Sequence, residues 1–286
     1  MTQGTLFVVA TPIGNLSDLS PRARQVLAEV DLVAAEDTRH TGRLLSHFGI
    51  ETPQFALHEH NEREAVTTLV AKVRDGRSIA LVSDAGTPLV SDPGYRLVLA
   101  AHAAGIPVSP VPGPSAVVAA LSAAGLPTDR FCFEGFLPAR GKSRRTRLES
   151  LRFEPRTMVF YVPVHRVRND LADCADVFGA ARDAFAGREL SKLHEQCVAA
   201  PLGELLAMVE DGRLAAKGEY VIVVAGSRVE APRQWLDEDR LLDELAAVLP
   251  GKQAVAIVAA VSGRSRNALY RKMLAIDRSD ADDGAE

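Results

Sequence analysis

Short apolar segments alternate with amphipathic ones along residues 1–126. Each short apolar run predicts a strand that is buried on both faces, as in a parallel sheet. The predicted strands are Thr5–Ala10, Leu32–Ala35, Gln54–Leu57, Ile79–Val82 and Pro107–Pro110. Helices are predicted between them, the first beginning at Ser20-Pro21 with Ser20 as its cap. This alternation predicts a parallel-rich open sheet with helices on its faces.

Small and polar residues follow each of these predicted strands. The richest such stretch follows Ile79–Val82 and reads SDAGTPLVSDPG over residues 83–94. In open α/β sheets, ligands bind beyond the carboxyl ends of the strands, so this stretch predicts a binding loop. The alternative is that its two acidic turns only join a strand to a helix. Two such turns within one loop, opposite other glycine and proline loops, favour the binding interpretation.

After residue 126 the pattern changes and predicts a second α/β domain with its own, mixed sheet. Its strands are predicted at Arg130–Phe136, Thr157–Val162, Asp183–Leu190 and Glu219–Ala225. A linker is predicted at Val229–Trp235, followed by helices at Asp237–Leu249, Gln253–Val261 and Arg264–Met273. The last two, joined by a glycine turn, predict a helix-turn-helix, with a plain three-helix packing module as the alternative. The predicted domains are 1–126, 127–228 and 229–286.

Composition and charge refine this fold class. The chain of 286 residues is 47% hydrophobic and 24% charged, which excludes a disordered protein, and its net charge of -4 gives no global reason to expect nucleic acid. Two local tracts, Ala139–Arg156 and Gly251–Ala275, are nevertheless strongly basic. Basic patches attract phosphates even on an acidic protein.

The cysteines and the apolar segments indicate the redox state and the cellular location of the protein. The three cysteines are far apart and form no metal-ligand spacing, which predicts a reduced protein without a catalytic metal. No secretory segment, long apolar span or lipidation signal is present in the sequence. We therefore expect a cytoplasmic protein that does not associate with membranes.

Six motifs occur along the chain in a fixed order. They are ATPIGNLSDLSPRA, AAEDTRHTGRLL, LVSDAGTPLVSDPG, VPGPSA, FEGFLP and RELSKLHE. Together they resemble the bacterial small-subunit ribosomal RNA (cytidine 2′-O) methyltransferases, within the tetrapyrrole-methylase fold group. Six motifs in order make chance agreement very improbable, whereas one glycine loop alone would be a weak signal.

The resemblance implies an enzyme of two α/β domains that binds S-adenosylmethionine in the cleft between them, as a homodimer. Its substrate would be a cytidine 2′-hydroxyl in the decoding region of small-subunit ribosomal RNA, free or in the assembled subunit. The cofactor contacts implied by the motifs are Pro12, Ile13, Gly14, Ser83, Asp84, Ala85, Val90, Ser115, Ala116 and Val162. Asn15 and the turn at residues 83–86 depart from the tetrapyrrole methylases, which favours the RNA branch.

Candidate catalytic residues follow strands of both domains. A ribose hydroxyl is a weak nucleophile, so a base or a cation beside it should help. Lys192 is the first choice, provided that burial lowers its pKa, with Glu195 beside it. Asp37 and Arg39 are expected to position the nucleotide. The alternatives are a helix cap with a local ion pair for Asp37 and Arg39, and a surface ion pair for Lys192.

The basic tracts supply the candidate RNA contacts. These are Arg140, Lys142, Arg144, Arg145, Arg147, Arg264, Arg266, Arg271 and Lys272. Two other functions remain open: a methyltransferase for a tetrapyrrole or another small heterocycle, and a non-catalytic helix-turn-helix regulator. The first leaves the basic tracts unexplained, and the second leaves the loops of the first domain unexplained. A dehydrogenase is disfavoured because no G-x-G-x-x-G follows the first strand.

Overall fold

A computed structural model describes residues 4–58, 60–229, 238–271 and 273 of the chain. The chain divides into two units, Met1–Val229 and Glu230–Glu286. Lys272 and most of the predicted linker Val229–Trp235 lie outside the described residues. Within the described ranges, no helix combines the length and the apolar character that crossing a membrane requires. The domain boundary between residues 126 and 127 stays a prediction.

The first sheet is entirely parallel, as predicted. Its strands are β1 (Leu6–Val9), β2 (Leu32–Ala35), β3 (Gln54–Ala56), β4 (Ile79–Val82) and β5 (Val108–Val111), in the spatial order β3-β2-β4-β1-β5. The helices are α1 (Pro21–Glu29), α2 (Thr38–His47), α3 (Glu62–Arg74), α4 (Tyr95–Ala103) and α5 (Ala116–Ala123). The predicted cap of α1 is confirmed, because the Ser20 hydroxyl oxygen accepts a hydrogen bond from Ala23 N at 3.0 Å.

The second sheet is mixed, which the sequence also predicts. It consists of β6 (Phe131–Phe136), β7 (Thr157–Val162), β8 (Asp183–Arg188), β9 (Gln196–Pro201) and β10 (Tyr220–Val224), in the order β6-β7-β10-β8-β9. Only β6 and β7 pair in parallel among these strands. The edge strand β9 was not predicted. The remaining helices of this unit are α6 (Gly141–Ser150), α7 (Val167–Phe178) and α8 (Leu202–Glu210).

Helix α5 joins the two sheets. It follows β5 in the chain, yet its apolar face, Val117 and Leu121, packs against Val221 and Val223 of β10 in one buried cluster. The opposite face of the second sheet is buried in a separate cluster with α6, α7 and α8. Because α5 covers the inner face of the second sheet, the loops at the rims of both sheets are brought together.

The second unit is helical. It contains α9 (Glu238–Ala246), α10 (Gly251–Ser262) and a further helical segment at residues 266–271. Leu242, Val255, Val258 and Leu269 form its buried core. Gly263 has a φ of +73° and ends α10, as expected for the glycine turn that the sequence predicts before the last helix.

Candidate functional site

A cavity of about 320 Å³ lies between the rims of the two sheets. The first sheet contributes residues that follow β1, β2, β4 and β5, and the second contributes residues from β6, β7, β8 and β10. The principal lining residues are Ile13, Glu36, Asp84, Ala85, Val90, Asp92, Ser115, Ala116, Phe136, Tyr161, Val162, Leu190, Glu219 and Tyr220. Its volume lies at the lower end of the range for small-molecule sites.

Hydrogen bonds hold the loops after β1, β4 and β5 together. Thr11 N donates to Gly86 O at 2.9 Å, and Gly86 N donates back to Thr11 O at 3.1 Å. The buried Thr11 hydroxyl donates to Ser83 O at 3.2 Å. Thr87 Oγ1 donates to Pro114 O at 3.1 Å. These bonds satisfy buried backbone groups, so the three loops form one continuous wall of the cavity.

Two loops, one on each side of the cavity, hold unusual backbone conformations. Among the described residues, those other than glycine with a positive φ are Leu89 (+73°), Ser91 (+71°), Glu189 (+50°) and Ser191 (+67°). Each such residue costs about 1–3 kcal/mol, and such strain concentrates at ligand sites. Val90 and Leu190, at the centres of these two loops, both line the cavity.

The lining of the cavity is acidic. Its carboxylates are Glu36, Asp84, Asp92 and Glu219, and none of the described lining residues is a lysine, arginine or histidine. Burial raises the pKa of Asp92 above its ordinary value of 3.8, against a hydrogen bond from Ser83 and with help from the charge of Asp84. Burial and the charges of Asp92 and Glu219 raise the pKa of Tyr161 to about 12. This environment suits a cationic ligand.

Most of the predicted cofactor contacts line this cavity. They are Ile13, Asp84, Ala85, Val90, Ser115, Ala116 and Val162. Pro12 and Gly14 flank Ile13 in the same loop. Ser83 is only 2% exposed, and its hydroxyl donates to Ala85 O at 3.5 Å, so Ser83 shapes the loop from inside.

Lys192 bridges two carboxylates beside the cavity. Its Nζ lies 3.1 Å from Glu189 Oε1 and 2.9 Å from Glu219 Oε2. Its stem crosses Gly14, where a Cβ would overlap it. Burial alone lowers the pKa of Lys192, but the two glutamates outweigh burial and raise the pKa above its ordinary 10.5. The expectation of a lowered pKa is therefore wrong, and this ammonium cannot serve as a base at neutral pH.

Asp37 and Arg39 form a helix cap with a local ion pair, which was the alternative to a role in positioning the nucleotide. Asp37 caps α2, with its Oδ1 accepting from Arg39 N at 2.8 Å, and its Oδ2 lies 2.9 Å from Arg39 Nη2. The hydrogen bonds from Arg39 lower the pKa of Asp37 to about 2. The preceding residue, Glu36, lines the cavity instead. Asp37 N also donates to Asp84 Oδ1 at 3.1 Å, which ties the loop after β2 to the loop after β4.

Glu195 lies beside a neighbouring cavity of about 470 Å³. This second cavity shares Ile13, Ser115 and Leu190 with the first. Glu195 Oε2 accepts a hydrogen bond from Ser191 N at 2.6 Å. Its carboxylate therefore orders the strained turn at Ser191, and it is not among the described residues that line the first cavity.

Helix α6 carries the first basic tract, and Arg144 on it is buried. Arg144 is 7% exposed; its Nε donates to Asp173 Oδ2 at 2.6 Å, and its Nη1 lies 3.3 Å from Asp170 Oδ1. The prediction that Arg144 contacts RNA is wrong, because its buried guanidinium already forms ion pairs with Asp170 and Asp173. Burial raises the pKa of Asp170, against the charges of Arg166 and Arg144. The pair thus joins α6 to α7.

The other basic residues of this tract differ in their partners. Arg145 pairs with Asp173 and Asp176, and Arg147 pairs with Glu134. Both arginines remain about half exposed. Arg140 and Lys142 are exposed and form no ion pair with any residue that the structure describes.

Replacing Arg144 with methionine is expected to lower the free energy of unfolding by about 3 kcal/mol, because Asp170, 1% exposed, loses its nearest cation. Urea titrations give this value. Arg140→Met is the matched control, because it removes an exposed arginine from the same segment and should leave stability unchanged. Equal stability of the two variants would contradict the assignment of Arg144 to the interior.

The candidate RNA contacts of the second unit are exposed where they are described. Arg264, Arg266 and Arg271 are exposed, and Lys272 lies outside the described residues. Arg271 Nε donates to Asn267 O, one turn earlier, at 3.3 Å. Their contact with RNA stays a prediction.

Sequence reasoning missed several cavity residues. Asp92, Phe136, Tyr161 and Glu219 all line the cavity. Asp92 lies in the second acidic turn of the predicted binding loop, so position could have indicated it. The other three come from the second domain, where no local signal shows which side chains face the first sheet.

Comparisons with known proteins agree with this geometry. Residues 5–206 match the family of tetrapyrrole (corrin/porphyrin) methylases. Residues 234–277 match the RsmI C-terminal HTH domain, in agreement with the predicted helix-turn-helix.

Proteins called ribosomal RNA small subunit methyltransferase I are similar to almost the whole chain. The one from Escherichia coli O157:H7 is 52% identical over 273 residues, which cover 96% of each chain. The one from Pseudomonas aeruginosa is 54% identical over 276 residues, covering 96% of this chain and 98% of the relative.

Solved structures share the fold. Uroporphyrin-III-C-methyltransferase from Thermus thermophilus has a TM-score of 0.56 at 22% identity and covers 78% of this chain and 94% of its own. Diphthine synthase has a TM-score of 0.57 at 16% identity, covering 78% and 90%. The predicted fold class, α/β domains of this type with a helical module, is therefore confirmed.

Proposed function

The chain belongs to the tetrapyrrole methylases and, within them, to the ribosomal RNA small subunit methyltransferase I family, and we propose that it methylates the ribose 2′-hydroxyl of a cytidine in the decoding region of small-subunit ribosomal RNA. Identity above 50% with relatives of that name, over 96% of the chain, is the observation that carries this proposal. A porphyrinoid substrate has less support, since the uroporphyrin-III-C-methyltransferase of the same fold is only 22% identical.

S-adenosylmethionine fits the cavity between the sheets. The small residues Ala85, Ser115 and Ala116 leave room for close approach to the main chain, and the acidic lining suits the positive sulfur of the cofactor. The loops after β1, β4 and β5 would hold it, with Val162 and Leu190 contributing apolar contacts from the second sheet. A non-catalytic regulator that only binds nucleic acid would not need a small-molecule cavity of this kind.

The bound cofactor supplies an electrophilic methyl group on a positively charged sulfur. The protein contributes alignment and exclusion of water, which the enclosing loops provide. When the 2′-oxygen takes the methyl group it must also lose its proton, so a base is needed at the cavity. We assign this role to Glu219, which lines the cavity and whose side chain is 82% exposed, so that the proton can pass on to water.

Lys192 acts through Glu219 in this scheme. Its ammonium, fixed by Glu189 on the other side, holds Glu219 Oε2 at 2.9 Å. Lys192 is therefore a positioning residue in this proposal and not the base. The aliphatic part of the Lys192 side chain also packs against Gly14, so it connects the turn after β8 with the loop after β1.

RNA phosphates would contact the exposed cations around the cavity and not its interior. Arg140 caps the start of α6 and Lys142 lies in its first turn, and both are exposed. Phosphate contacts of this kind position RNA without reading its sequence. Arg39, Arg145 and Arg147 can join them only in part, because all three already pair with carboxylates.

Mapping of ribose methylation in small-subunit RNA tests the proposal. RNA from cells lacking the protein should lose one 2′-O-methylcytidine, and the purified protein with S-adenosylmethionine should restore it on naked RNA or on isolated subunits. The comparison of the two substrates also identifies the natural one. An unchanged methylation map in the deletion strain would overturn the proposed function.

Removing residues 230–286 is expected to weaken RNA binding about tenfold and to reduce its dependence on salt, because exposed arginines are lost with the second unit. Affinity for S-adenosylmethionine should not change, since the residues that line the cavity lie between 13 and 221. Fluorescence anisotropy across a salt series and calorimetry measure the two affinities. The full chain with Arg264→Gln and Arg266→Gln is the matched control and should share part of the RNA defect.

We also propose that the protein is a cytoplasmic homodimer. Tyr95 and Leu99, one turn apart on α4, are 66% and 55% exposed and form an apolar strip of the kind that a second copy can cover. Sedimentation equilibrium should give twice the chain mass of 30.6 kDa.

A further inference from the structure

The ring of Phe136 lies at the rim of the cavity. Phe136 is the last residue of β6; it lines the cavity and yet is 55% exposed. Its centroid lies 5.4 Å from that of Tyr161, with the planes tilted by 56°. Tyr161 packs in turn edge-on against Phe133, at 4.8 Å. The exposed ring thus packs against Tyr161, which Phe133 in turn holds in place.

An irregularity in β6 puts Phe136 in this place. Phe133 is opposite Val159 in the neighbouring strand, but Gly135 is opposite Phe160 and Phe136 is opposite Tyr161. One extra residue therefore sits between Phe133 and Gly135, and Gly135 has a φ of +64°. In a regular strand Phe136 would face away from Phe133, whereas the bulge turns it to the same side. Bulges that re-aim a side chain are common next to active sites.

We propose that Phe136 is the platform on which the base of the target nucleotide stacks. The inference rests on the proposed RNA substrate. Four carboxylates line the cavity, so a phosphodiester cannot enter it, and a nucleotide can present its ribose to the cavity only from the rim. Unpaired bases in RNA are held mainly by stacking on aromatic side chains, and Phe136 offers such a face there. Arg140, four residues further on and exposed, can hold the adjoining phosphate.

Replacing Phe136 with alanine tests the proposal in the full chain, with isolated small subunits and S-adenosylmethionine as substrates. The KM for the subunit should rise about tenfold or more, as expected for one lost stacking contact, with the Kd for S-adenosylmethionine changed less than twofold. Phe136→Trp should restore the KM and Phe136→Leu should not, because stacking needs a planar ring. Phe131→Ala is the matched control: Phe131 lies on the same strand, 43% exposed, outside the described lining of the cavity.

The possible outcomes separate the inference from the proposed function. A loss of S-adenosylmethionine affinity in Phe136→Ala would assign the ring to the cofactor and overturn the inference, with the proposed function intact. A wild-type KM in Phe136→Leu, or an equal defect in Phe131→Ala, would also overturn it. If the unmodified protein methylated no small-subunit RNA, the proposed function itself would fail. Thermal unfolding of each variant shows whether the fold is retained.

Discussion

Lys192→Met is expected to lower kcat for RNA methylation about 100-fold and to leave affinity for S-adenosylmethionine within about twofold. Without the ammonium, Glu219 loses the contact that fixes its otherwise exposed side chain, and the proton acceptor is no longer held at the cavity. Single-turnover rates with isolated subunits and calorimetry with the cofactor measure the two quantities. Lys192→Arg keeps the charge and should retain most of the activity.

A double-variant cycle shows whether Lys192 acts through Glu219. Glu219→Gln alone should have a defect at least as large as that of Lys192→Met. If the two residues form one unit, the combined variant should be no slower than Glu219→Gln alone. Losses that multiply would mean independent roles. A normal kcat in Lys192→Met would remove Lys192 from this mechanism, and a normal kcat in Glu219→Gln would remove Glu219 as the base.

Asp92→Asn is expected to reduce the preference for S-adenosylmethionine over S-adenosylhomocysteine about tenfold. The two molecules differ in one methyl group and one positive charge at sulfur, and a carboxylate within several ångströms of a partly enclosed cation contributes about 1.4 kcal/mol or more. Calorimetry with each compound gives the ratio. Asp18→Asn removes a carboxylate from the neighbouring cavity and serves as the control. An equal loss of affinity for both compounds would refute the charge effect.

The same carboxyl group makes cofactor binding depend on pH. Burial raises the pKa of Asp92 in the folded protein, with Asp84 adding to the rise and Ser83 opposing it. Above this pKa the group is ionised and attracts the sulfonium; as the pH falls through it, the group becomes neutral and the attraction is lost. Affinity for S-adenosylmethionine should therefore fall on acidification, and affinity for S-adenosylhomocysteine should fall less. Asp92→Asn should remove the difference.

Buried strands could be predicted closely from the sequence. Leu32–Ala35, Ile79–Val82 and Thr157–Val162 have the predicted bounds, because a strand covered on both faces is a continuous apolar run. Strand β9, Gln196–Pro201, also contains a four-residue apolar run, but none of its residues is buried, and it is an edge strand held by its antiparallel pairing with β8. Pairing partners, and not local composition, decide whether such a segment becomes a strand.

Most of the site could be predicted on the side of the first sheet, whereas the second sheet contributes one predicted cavity contact, Val162, which the family resemblance implies. Parallel strands end at one edge, so the loops after β1, β4 and β5 were expected to meet. Glu219 and Tyr161 come from a mixed sheet whose strand order cannot be read from spacing. The burial of Arg144 could not be predicted from the basic tract alone, because such a tract indicates exposed arginines. Asp170, Asp173 and Asp176 recur every three residues and form an acidic face on α7 that could have indicated the partner of α6.

The packing of α5 has a consequence for turnover. Ala116, in its first turn, lines the cavity, while Val117 and Leu121 are buried against β10. Swinging the two walls apart would expose that apolar cluster to water at each round of catalysis, a costly motion. Spent and fresh cofactor are therefore expected to exchange through a local gate, the strained segment 89–91, while the packing between α5 and the second sheet stays intact.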